Sequence, residues 1–129
     1  MRKNVAVKDC EFAILKAGVE IESGTVTVSS SPSTNSKFVS GIEKKGIYAG
    51  IMNITVSGYS DSNIAQGTGT GVITPSAVNN FIDDNAMVLE GDSGTAVLSG
   101  VHPISGVPVT GYSVTVKIKN AGQSNIKAE

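Results

Sequence analysis

The chain has 129 residues, of which 40% are hydrophobic and 16% are charged, and its formal net charge is −1. This length predicts one domain, since two would each have too little core, and the hydrophobic fraction excludes a disordered chain. The near-neutral charge, with no Lys/Arg cluster longer than two residues, lacks the basic surface that neutralises phosphates and so excludes a nucleic-acid partner.

The N-terminal region predicts two short strands, at residues 5–7 and 12–15, on either side of Asp9-Cys10. No apolar leader core follows the charged start, so no classical signal peptide is predicted. No later apolar run approaches the roughly 18 residues of a membrane span, so no stable membrane anchor is expected. Cys10 is the only cysteine, which excludes an internal disulfide and fits folding in a reducing cytoplasm.

A hairpin is predicted over residues 19–28. Residues 19–22 and 25–28 both alternate apolar and polar side chains, which is typical of half-buried strands, and Ser23-Gly24 between them is a turn signal. Residues 29–36 are a polar loop that is too short to link two domains.

The middle of the chain carries its strongest strand signals. Residues 47–56 are rich in apolar and β-branched side chains, and Ser57-Gly58 should end that strand. Residues 67–71 alternate Gly with Thr, and glycine at this density predicts a bulge or very close backbone packing within a strand. These glycines do not predict a phosphate-binding loop, because such a loop needs a following helix and residues 72–75 read as strand and turn.

The next segments are less clear-cut. Residues 76–82 predict either a single helical turn or a loop, since their two Asn disfavour a longer helix. Residues 86–89 and 95–98 are apolar runs on either side of Glu90-Gly91-Asp92-Ser93-Gly94, which predicts a hairpin turn between them.

The C-terminal region predicts a final strand pair or one long strand over residues 107–118, and then a polar tail at 121–129 with little strand signal. Short strands at spacings of roughly ten residues, separated by Gly-rich turns, are typical of all-β folds. The sequence therefore predicts an all-β, compact single domain over residues 1–120, built of short antiparallel strands and hairpins, without any helix of three turns.

An internal pseudo-repeat is predicted from two segments, residues 24–58 and 67–100, that resemble each other at a spacing of 43 residues. A repeat of this size is a supersecondary unit that buries its apolar face only against neighbouring units. Such pseudo-symmetry suits a protein that fills its own core or caps a partner with true rotational symmetry. The matched residues are Pro32-Ser33 with Pro75-Ser76, Phe38 with Phe81, and Val56-Ser57-Gly58 with Leu98-Ser99-Gly100.

His102 and Cys10 are the only histidine and cysteine of the chain. A zinc site needs three or four ligands, and these two residues supply too few. A Cys10 nucleophile with His102 as its base would need an activating basic neighbourhood, and the local sequence offers only Lys8. We therefore interpret His102 as a loop residue and Cys10 as a small, buried core residue.

Four carboxylates, those of Asp83, Asp84, Glu90 and Asp92, cluster in the sequence and could hold calcium or form a glycosidase pair. Their spacing does not match a calcium-binding loop, and Asp and Gly favour turns for conformational reasons. Asp92-Ser93-Gly94 resembles the nucleophile turn of hydrolases, but no histidine with an orienting acid can be assigned to it. The sequence predicts no catalytic residues, no metal site and no cofactor, and hence no enzyme.

Several of these features together resemble the PAAR-like tip proteins of contractile injection systems. They are a Cys-containing first hairpin, the Pro-Ser turn, the glycine-spaced strands and Val88-Leu89-Glu90-Gly91-Asp92, which is similar to a turn that recurs in that family. The resemblance implies a small, pseudo-threefold β cone whose base binds the flat end of a trimeric, three-stranded β-helical spike. The family commonly binds a metal near its point through three His and one Cys; this chain has only His102 and Cys10, so no metal site is carried over.

The predicted function is a structural, non-catalytic component of a contractile tail or injection particle that caps a trimeric spike. The protein would be assembled in the bacterial cytoplasm and located in the virion or injection particle, and its partner-binding residues are not assigned. One alternative is a capsid decoration protein or other virion coat protein. Another is a carbohydrate-binding module, which the lack of Trp disfavours, since sugars stack on exposed aromatic side chains and only three tyrosines are present.

Overall fold

The computed structural model describes residues 3–6, 10–29, 48–79, 81–82, 85–121 and 127–128. These residues form strands and turns without a helix, so the prediction of an all-β, compact single domain is confirmed. The strands in chain order are β1 (Lys3–Asn4), β2 (Glu11–Lys16), β3 (Val19–Ile21), β4 (Thr25–Val28), β5 (Met52–Tyr59), β6 (Ala65–Ile73), β7 (Phe81–Ile82), β8 (Asn85–Ala86), β9 (Ser93–Val101), β10 (Pro108–Asn120) and β11 (Lys127–Ala128).

Seven of the strands form one antiparallel sheet in the order β3-β2-β10-β9-β6-β5-β4, and this sheet curls into a half-barrel. β10 is the longest strand and pairs with β9 along one side and with β2 along the other. The predicted segment 107–118 is therefore one long strand rather than a strand pair, with a bulge around Gly111, where φ is +67°.

The core lies on the concave face of the sheet because the strands alternate buried and exposed residues. In β5, Met52, Ile54 and Val56 are buried while Asn53 and Ser57 are exposed. Leu98 of β9 and Val116 of β10 are fully buried in the same cluster. Burying an aliphatic side chain of this size contributes about 1.5–3 kcal/mol, and the core cluster consists mainly of such medium-sized residues, with Tyr48 and Tyr59 as its aromatic members.

The segments that contain Ala6, Tyr48 and Val88 are joined by backbone hydrogen bonds and pack on this core. The amide of Ala6 donates to the carbonyl of Val88 at 2.8 Å, and the amide of Tyr48 donates to the carbonyl of Ala6 at 3.1 Å. All three residues are buried and belong to the core cluster. In sequence, β1 precedes Ala6 and β8 precedes Val88, and each belongs to a small two-stranded sheet, β1–β11 or β7–β8. Lys127–Ala128, within the predicted polar tail, form a strand that is too short to leave a periodic signal in the sequence.

The predicted hairpin over residues 19–28 is wrong. β3 pairs with β2 and β4 pairs with β5, so these two neighbours in sequence lie at opposite edges of the sheet. Gly24 bends the chain at φ +84° but does not reverse it, and a Cβ atom there would lie only 3.1 Å from the Cα of Tyr59. The reversal occurs earlier, between β2 and β3, at Ala17-Gly18, where both φ angles are positive as in a type I′ turn.

The predicted hairpin between residues 86–89 and 95–98 is also wrong. A tight turn does form there, because the amide of Asp92 donates to the carbonyl of Leu89 at 3.0 Å. However, β9 pairs with β6 and β10, whereas Leu89 bridges to Val5. The turn therefore leads from the segment of Val88, which hydrogen-bonds to Ala6 and Tyr48, into the main sheet. The residues of the turn do not indicate which strands the flanking segments pair with.

Three smaller differences concern element boundaries. β5 continues through Ser57-Gly58 to Tyr59, since a bulge absorbs the glycine within the strand. Among the described part of residues 76–82, no helical turn forms, and β7 pairs with β8 instead. Strand β1 lies at Lys3–Asn4, ahead of the predicted 5–7, whereas Val5 forms an isolated bridge to Leu89 and Val7 lies outside the described residues. The predicted strand at 12–15 lies within β2.

The glycines of residues 67–71 lie in β6, and the predicted close packing is confirmed. A Cβ atom on Gly69 would overlap the carbonyl of Val97, and one on Gly71 would overlap the carbonyl of Thr95, both in β9. The reverse holds for Gly94 of β9, where a Cβ would overlap the carbonyl of Val72. At each of these glycines, the backbone of the neighbouring strand occupies the space that a side chain would need.

The two repeat-like segments contain matching strand pairs. β4 pairs with β5 with Thr25 opposite Ser57, and β6 pairs with β9 with Thr68 opposite Ser99. Thr25 and Thr68 are 43 residues apart, and Ser57 and Ser99 are 42 residues apart. The two segments match in sequence at the same two offsets. Pro32-Ser33, Phe38 and all but the first residue of the predicted loop at 29–36 lie outside the described residues, so the repeat as a whole stays a prediction.

Candidate functional site

Cys10 and His102 are far apart, which removes the nucleophile and base pair considered from the sequence. Cys10 is buried in the core cluster just before β2, whose first residue pairs with Asn120 at one end of β10. His102 follows β9, whose last residue pairs with Pro108 at the other end of β10. At about 3.3 Å per residue, the two ends of β10 are roughly 40 Å apart.

His102 organises the turn between β9 and β10. Its amide donates to the carbonyl of Val107 at 2.8 Å, and its carbonyl accepts from the amide of Gly106 at 2.9 Å. Its ring Nδ1 accepts from the amides of Ile104 and Ser105, at 3.2 and 3.4 Å. These contacts give the imidazole a structural role at the tip of the hairpin.

Asp92 is the one buried charged side chain among the described residues. Its Oδ2 accepts from the amides of Leu89 and Ser76, at 2.8 and 3.0 Å, and its Oδ1 accepts from the hydroxyl of Ser76. The carboxylate therefore ties the turn after Leu89 to the loop after β6. The sequence indicated that Asp92 would stabilise its own turn, as it does by accepting from Leu89. In addition, it accepts from Ser76, which is 16 residues away in the chain.

The other carboxylates considered from the sequence do not assemble around Asp92. Glu90 is partly exposed, and its Oε1 accepts from the amide of Ala121 at 3.0 Å. Asp83 and Asp84 lie outside the described residues. Within the described part of the chain, no three His, Cys, Asp or Glu side chains are grouped so that they could hold a metal ion.

A polar cluster that the sequence did not reveal is built on Asp61, in the turn between β5 and β6. Its Oδ2 accepts from the hydroxyls of Tyr59 and Tyr112, at 2.8 and 2.5 Å. Its Oδ1 accepts from the amides of Asn63 and Ile64, at 2.7 and 3.1 Å. Asp-Ser-Asn after a strand is a recognisable turn signal, but nothing local points to Tyr112, 51 residues away.

The pKa values in this cluster follow from the hydrogen bonds. Burial acts to raise the pKa of the Asp61 carboxyl, but the hydrogen bonds from Tyr112, Asn63, Tyr59 and Ile64 outweigh it and lower that pKa. Burial and the hydrogen bond to Asp61 raise the pKa of both tyrosine hydroxyls. The tyrosines thus stay protonated as donors to an ionised carboxylate, an arrangement that stabilises the fold.

The tyrosines do not form a platform for sugar rings. Tyr48 and Tyr59 are buried. Tyr112 is partly buried, and Lys16 Nζ lies 4.2 Å from the centre of its ring. Stacking on a ligand requires an open aromatic face, so this geometry disfavours the carbohydrate-binding alternative.

The convex side of the sheet carries a surface that we call the outer face. It consists of the outward-pointing residues of β4, β5, β6 and β9 and the residues of β10 that pair with them, and all are exposed except the partly buried Thr55. Lys117 is the only charged residue in this set. The set is Thr25, Thr27, Asn53, Thr55, Ser57, Thr68, Thr70, Val72, Ser93, Thr95, Val97, Ser99, Val101, Ser113, Thr115 and Lys117.

The strand register aligns these side chains in rows across the sheet. One row runs through Thr27, Thr55, Thr70, Val97 and Ser113, each directly opposite the next. Neighbouring side chains in a row are about 5 Å apart. The outer face is therefore a continuous surface of hydroxyl and methyl groups that spans five strands.

Comparison of the chain with models of protein families, with curated proteins and with solved structures found no match. Among the described residues, no helix has the length and apolar character needed to cross a membrane.

Proposed function

We propose that this protein is a structural, non-catalytic docking module that binds a protein partner through the outer face. The supporting observation is that only two charged residues, Lys117 and Lys119, occur in the five adjacent strands β4, β5, β6, β9 and β10, and that only Lys117 belongs to the outer face. A surface that only meets water usually carries roughly 25–35% charged residues. The buried centres of protein interfaces are depleted in charge, so the composition of the outer face fits a surface that becomes covered.

The chemistry of this face suits a partner that is itself polar and uncharged or weakly apolar. Threonine and serine hydroxyls cost less to desolvate than charged groups and can exchange water for hydrogen bonds to a partner. The threonine methyl groups and Val72, Val97 and Val101 supply apolar contact area. Asp92 and Asp61, each of which accepts three or more hydrogen bonds, are engaged in holding turns together, which supports a non-catalytic role.

The particular partner that we propose is a trimeric spike of a contractile tail or injection particle. This step depends on the sequence resemblance to PAAR-like tip proteins and on the repeat-like strand pairs β4–β5 and β6–β9. A tip protein would be present as one copy on the end of three spike chains.

The test is to mix the protein with a purified trimeric spike protein of a contractile tail or injection particle and to measure the mass of the complex by light scattering. One copy for three spike chains is the expected result. Equal stoichiometry, or binding to a lattice of many copies, would contradict the spike-tip role and favour a capsid decoration protein.

A surface variant tests whether the outer face makes the contact. Thr70→Glu places a charge at the centre of the face without touching the core, and burying an unpaired charge should weaken binding by about a hundredfold or more. Thr74→Glu is the matched control, because Thr74 is exposed but lies beyond the end of β6. Equal binding by the two variants would show that the outer face is not the interface.

A further inference from the structure

A groove of about 340 Å³ lies beside the end of β10, and we call it the lysine groove. Its volume is at the lower end of the roughly 300–1,000 Å³ of ligand pockets. Three of the residues that line it are cationic, although the chain as a whole has a formal net charge of −1. The described residues of the lysine groove are Lys3, Glu90, Gly91, Lys117, Ile118 and Lys119.

Backbone hydrogen bonds bring the three lysines together around one turn. The amide of Glu90 donates to the carbonyl of Asn4 at 2.8 Å, and the amide of Gly91 donates to the carbonyl of Ile118 at 2.9 Å. The turn therefore lies between β1, which carries the first lysine, and the end of β10, which carries the other two. A Cβ atom on Gly91 would have no other atom within 4 Å, so the space beside the turn is open to a ligand.

The lysines differ in how far their charge is already neutralised. Lys119 Nζ lies 3.0 Å from Glu20 Oε2, and the hydrogen bond to Glu20 and its charge raise the pKa of Lys119. Among the described residues, Lys3 and Lys117 have no ion-pair partner. Glu90 is the one carboxylate among the described lining residues. Two unpaired ammonium groups and one carboxylate leave the groove with a net positive charge.

Lys117 belongs both to the lysine groove and to the outer face, where it is the only charged residue. A partner that covers the outer face buries this ammonium group, and a buried charge without a counter-charge costs several kcal/mol. The partner avoids that cost when it places a carboxylate against Lys117.

The spacing of the lysines suits an extended acidic segment. Lys117 and Lys119 are alternate residues of one strand, so their Cα atoms are about 7 Å apart, and alternate residues of an extended peptide have the same separation. Lys3 lies on the other side of the turn. A nucleic acid fits less well, because its binding depends on many basic contacts and the groove has only two unpaired cations.

We propose that the lysine groove binds an acidic segment of the protein that covers the outer face. Alternate carboxylates of this segment would face Lys117 and Lys119, and Lys3 would contact it from the opposite side. That the occupant is part of a protein on the outer face rests on the proposed function, whereas its negative charge follows from the groove itself.

The test titrates the protein with a capped peptide of four residues, alternating glutamate and threonine, and follows the backbone amide signals by NMR. The matched control is a peptide of alternating glutamine and threonine. We expect the glutamate peptide to shift the amide signals of Gly91 and Ile118 and to bind more weakly when salt is raised from about 0.05 M to about 0.5 M. The glutamine peptide should leave these signals unchanged.

Variants show whether the lysines are responsible. The double variant K3Q/K117Q removes both unpaired ammonium groups and should weaken binding of the glutamate peptide about tenfold. Lys16→Gln, which removes a lysine outside the groove, should bind like the unmodified protein. Glu20→Gln releases Lys119 from its ion pair and should strengthen binding about threefold, a gain that a folding defect would not produce.

Three results would overturn the proposal. The first is equal binding of the glutamate and glutamine peptides, and the second is unchanged affinity in K3Q/K117Q. The third is binding of inorganic phosphate as tightly as the glutamate peptide, because the groove would then be a general anion site. A protein that binds the glutamate peptide but not the spike contradicts the proposed function and retains the acidic ligand of the groove, so the two failures are distinguishable.

Discussion

The carboxylate of Asp92 lies where the turn after Leu89 meets the loop after β6. Because it is buried and accepts from two backbone amides and one hydroxyl, removing it leaves donors without acceptors in the interior. Asp92→Ala should lower the free energy of unfolding by about 3 kcal/mol. Urea denaturation measures this change.

Glu90→Gln is the control for Asp92→Ala, since it alters a carboxyl group in the same turn while keeping an oxygen that can accept from Ala121. We expect a change of no more than about 0.5 kcal/mol for Glu90→Gln. A small loss for Asp92→Ala would mean that water replaces the carboxylate and that the turn does not depend on it.

The Asp61 cluster predicts a pH dependence of stability. The pKa of Asp61 is lower in the folded protein than in the unfolded chain, so the folded state favours the ionised carboxyl. Its contribution is fully present above the unfolded pKa of about 3.9 and is lost as the pH falls through the lower folded value.

Asp61→Asn tests this dependence. The variant should be less stable than the unmodified protein by about 1–2 kcal/mol near neutral pH, and the difference should shrink as the pH approaches about 2.5. Thermal unfolding across this range gives the comparison, with Ser62→Ala as the control in the same turn. A difference that stays constant with pH would show that the charge of Asp61 is not the cause.

The β2–β3 hairpin carries strain at its turn. Ala17 has φ +52°, a left-handed conformation that alanine disfavours and asparagine tolerates. Ala17→Asn should therefore raise the free energy of unfolding by about 0.5–1 kcal/mol, and Ala17→Val, which is β-branched, should lower it. If both variants unfold at the same urea concentration, the turn is not left-handed in solution.

The contact between β6 and β9 depends on glycine. In Gly69→Ala the new methyl group would overlap the carbonyl of Val97, so the strands must separate, at a cost of about 2 kcal/mol or more. The neighbouring exposed position gives the control, and Thr68→Ala should cost no more than about 1 kcal/mol. Chemical denaturation of the two variants tests whether the backbones are as close as the structure indicates.

At the level of elements, strand positions were more predictable than strand partners. β5, β9 and β10 alternate buried and exposed residues, and this period is visible in the sequence. Pairing depends on distant residues, so Ser23-Gly24 was interpreted as a reversal although it only bends the chain. Ala17-Gly18 lacks the Asn or Asp that usually marks a type I′ turn.

The functional surfaces were less predictable still. The low charge of the chain indicated a protein-binding role, but the outer face forms only when the register brings Thr27, Thr70 and Ser113 into one row. Such groupings depend on the order of strands in the sheet, which periodicity does not determine.

The molecule as a whole should be most stable at its centre. β10, β9 and β6 each have a neighbour on both sides, whereas β3 and β4 have one. Amide hydrogen exchange should therefore be slowest in the three central strands and about a hundredfold faster in β3. Uniform exchange rates across the sheet would mean that the strands open together and that the edges are not separate units of stability.

The pairing of β2 with β10 also has a consequence for synthesis. β2 is made early, but its partner residues 115–120 are about a hundred positions later. At roughly 5–20 residues per second, the ribosome needs about 5–20 s to deliver them. During this interval the β2–β3 hairpin is at best marginally stable by itself. Phe12 and Ile14 therefore stay exposed to solvent until β10 has been synthesised and pairs with β2.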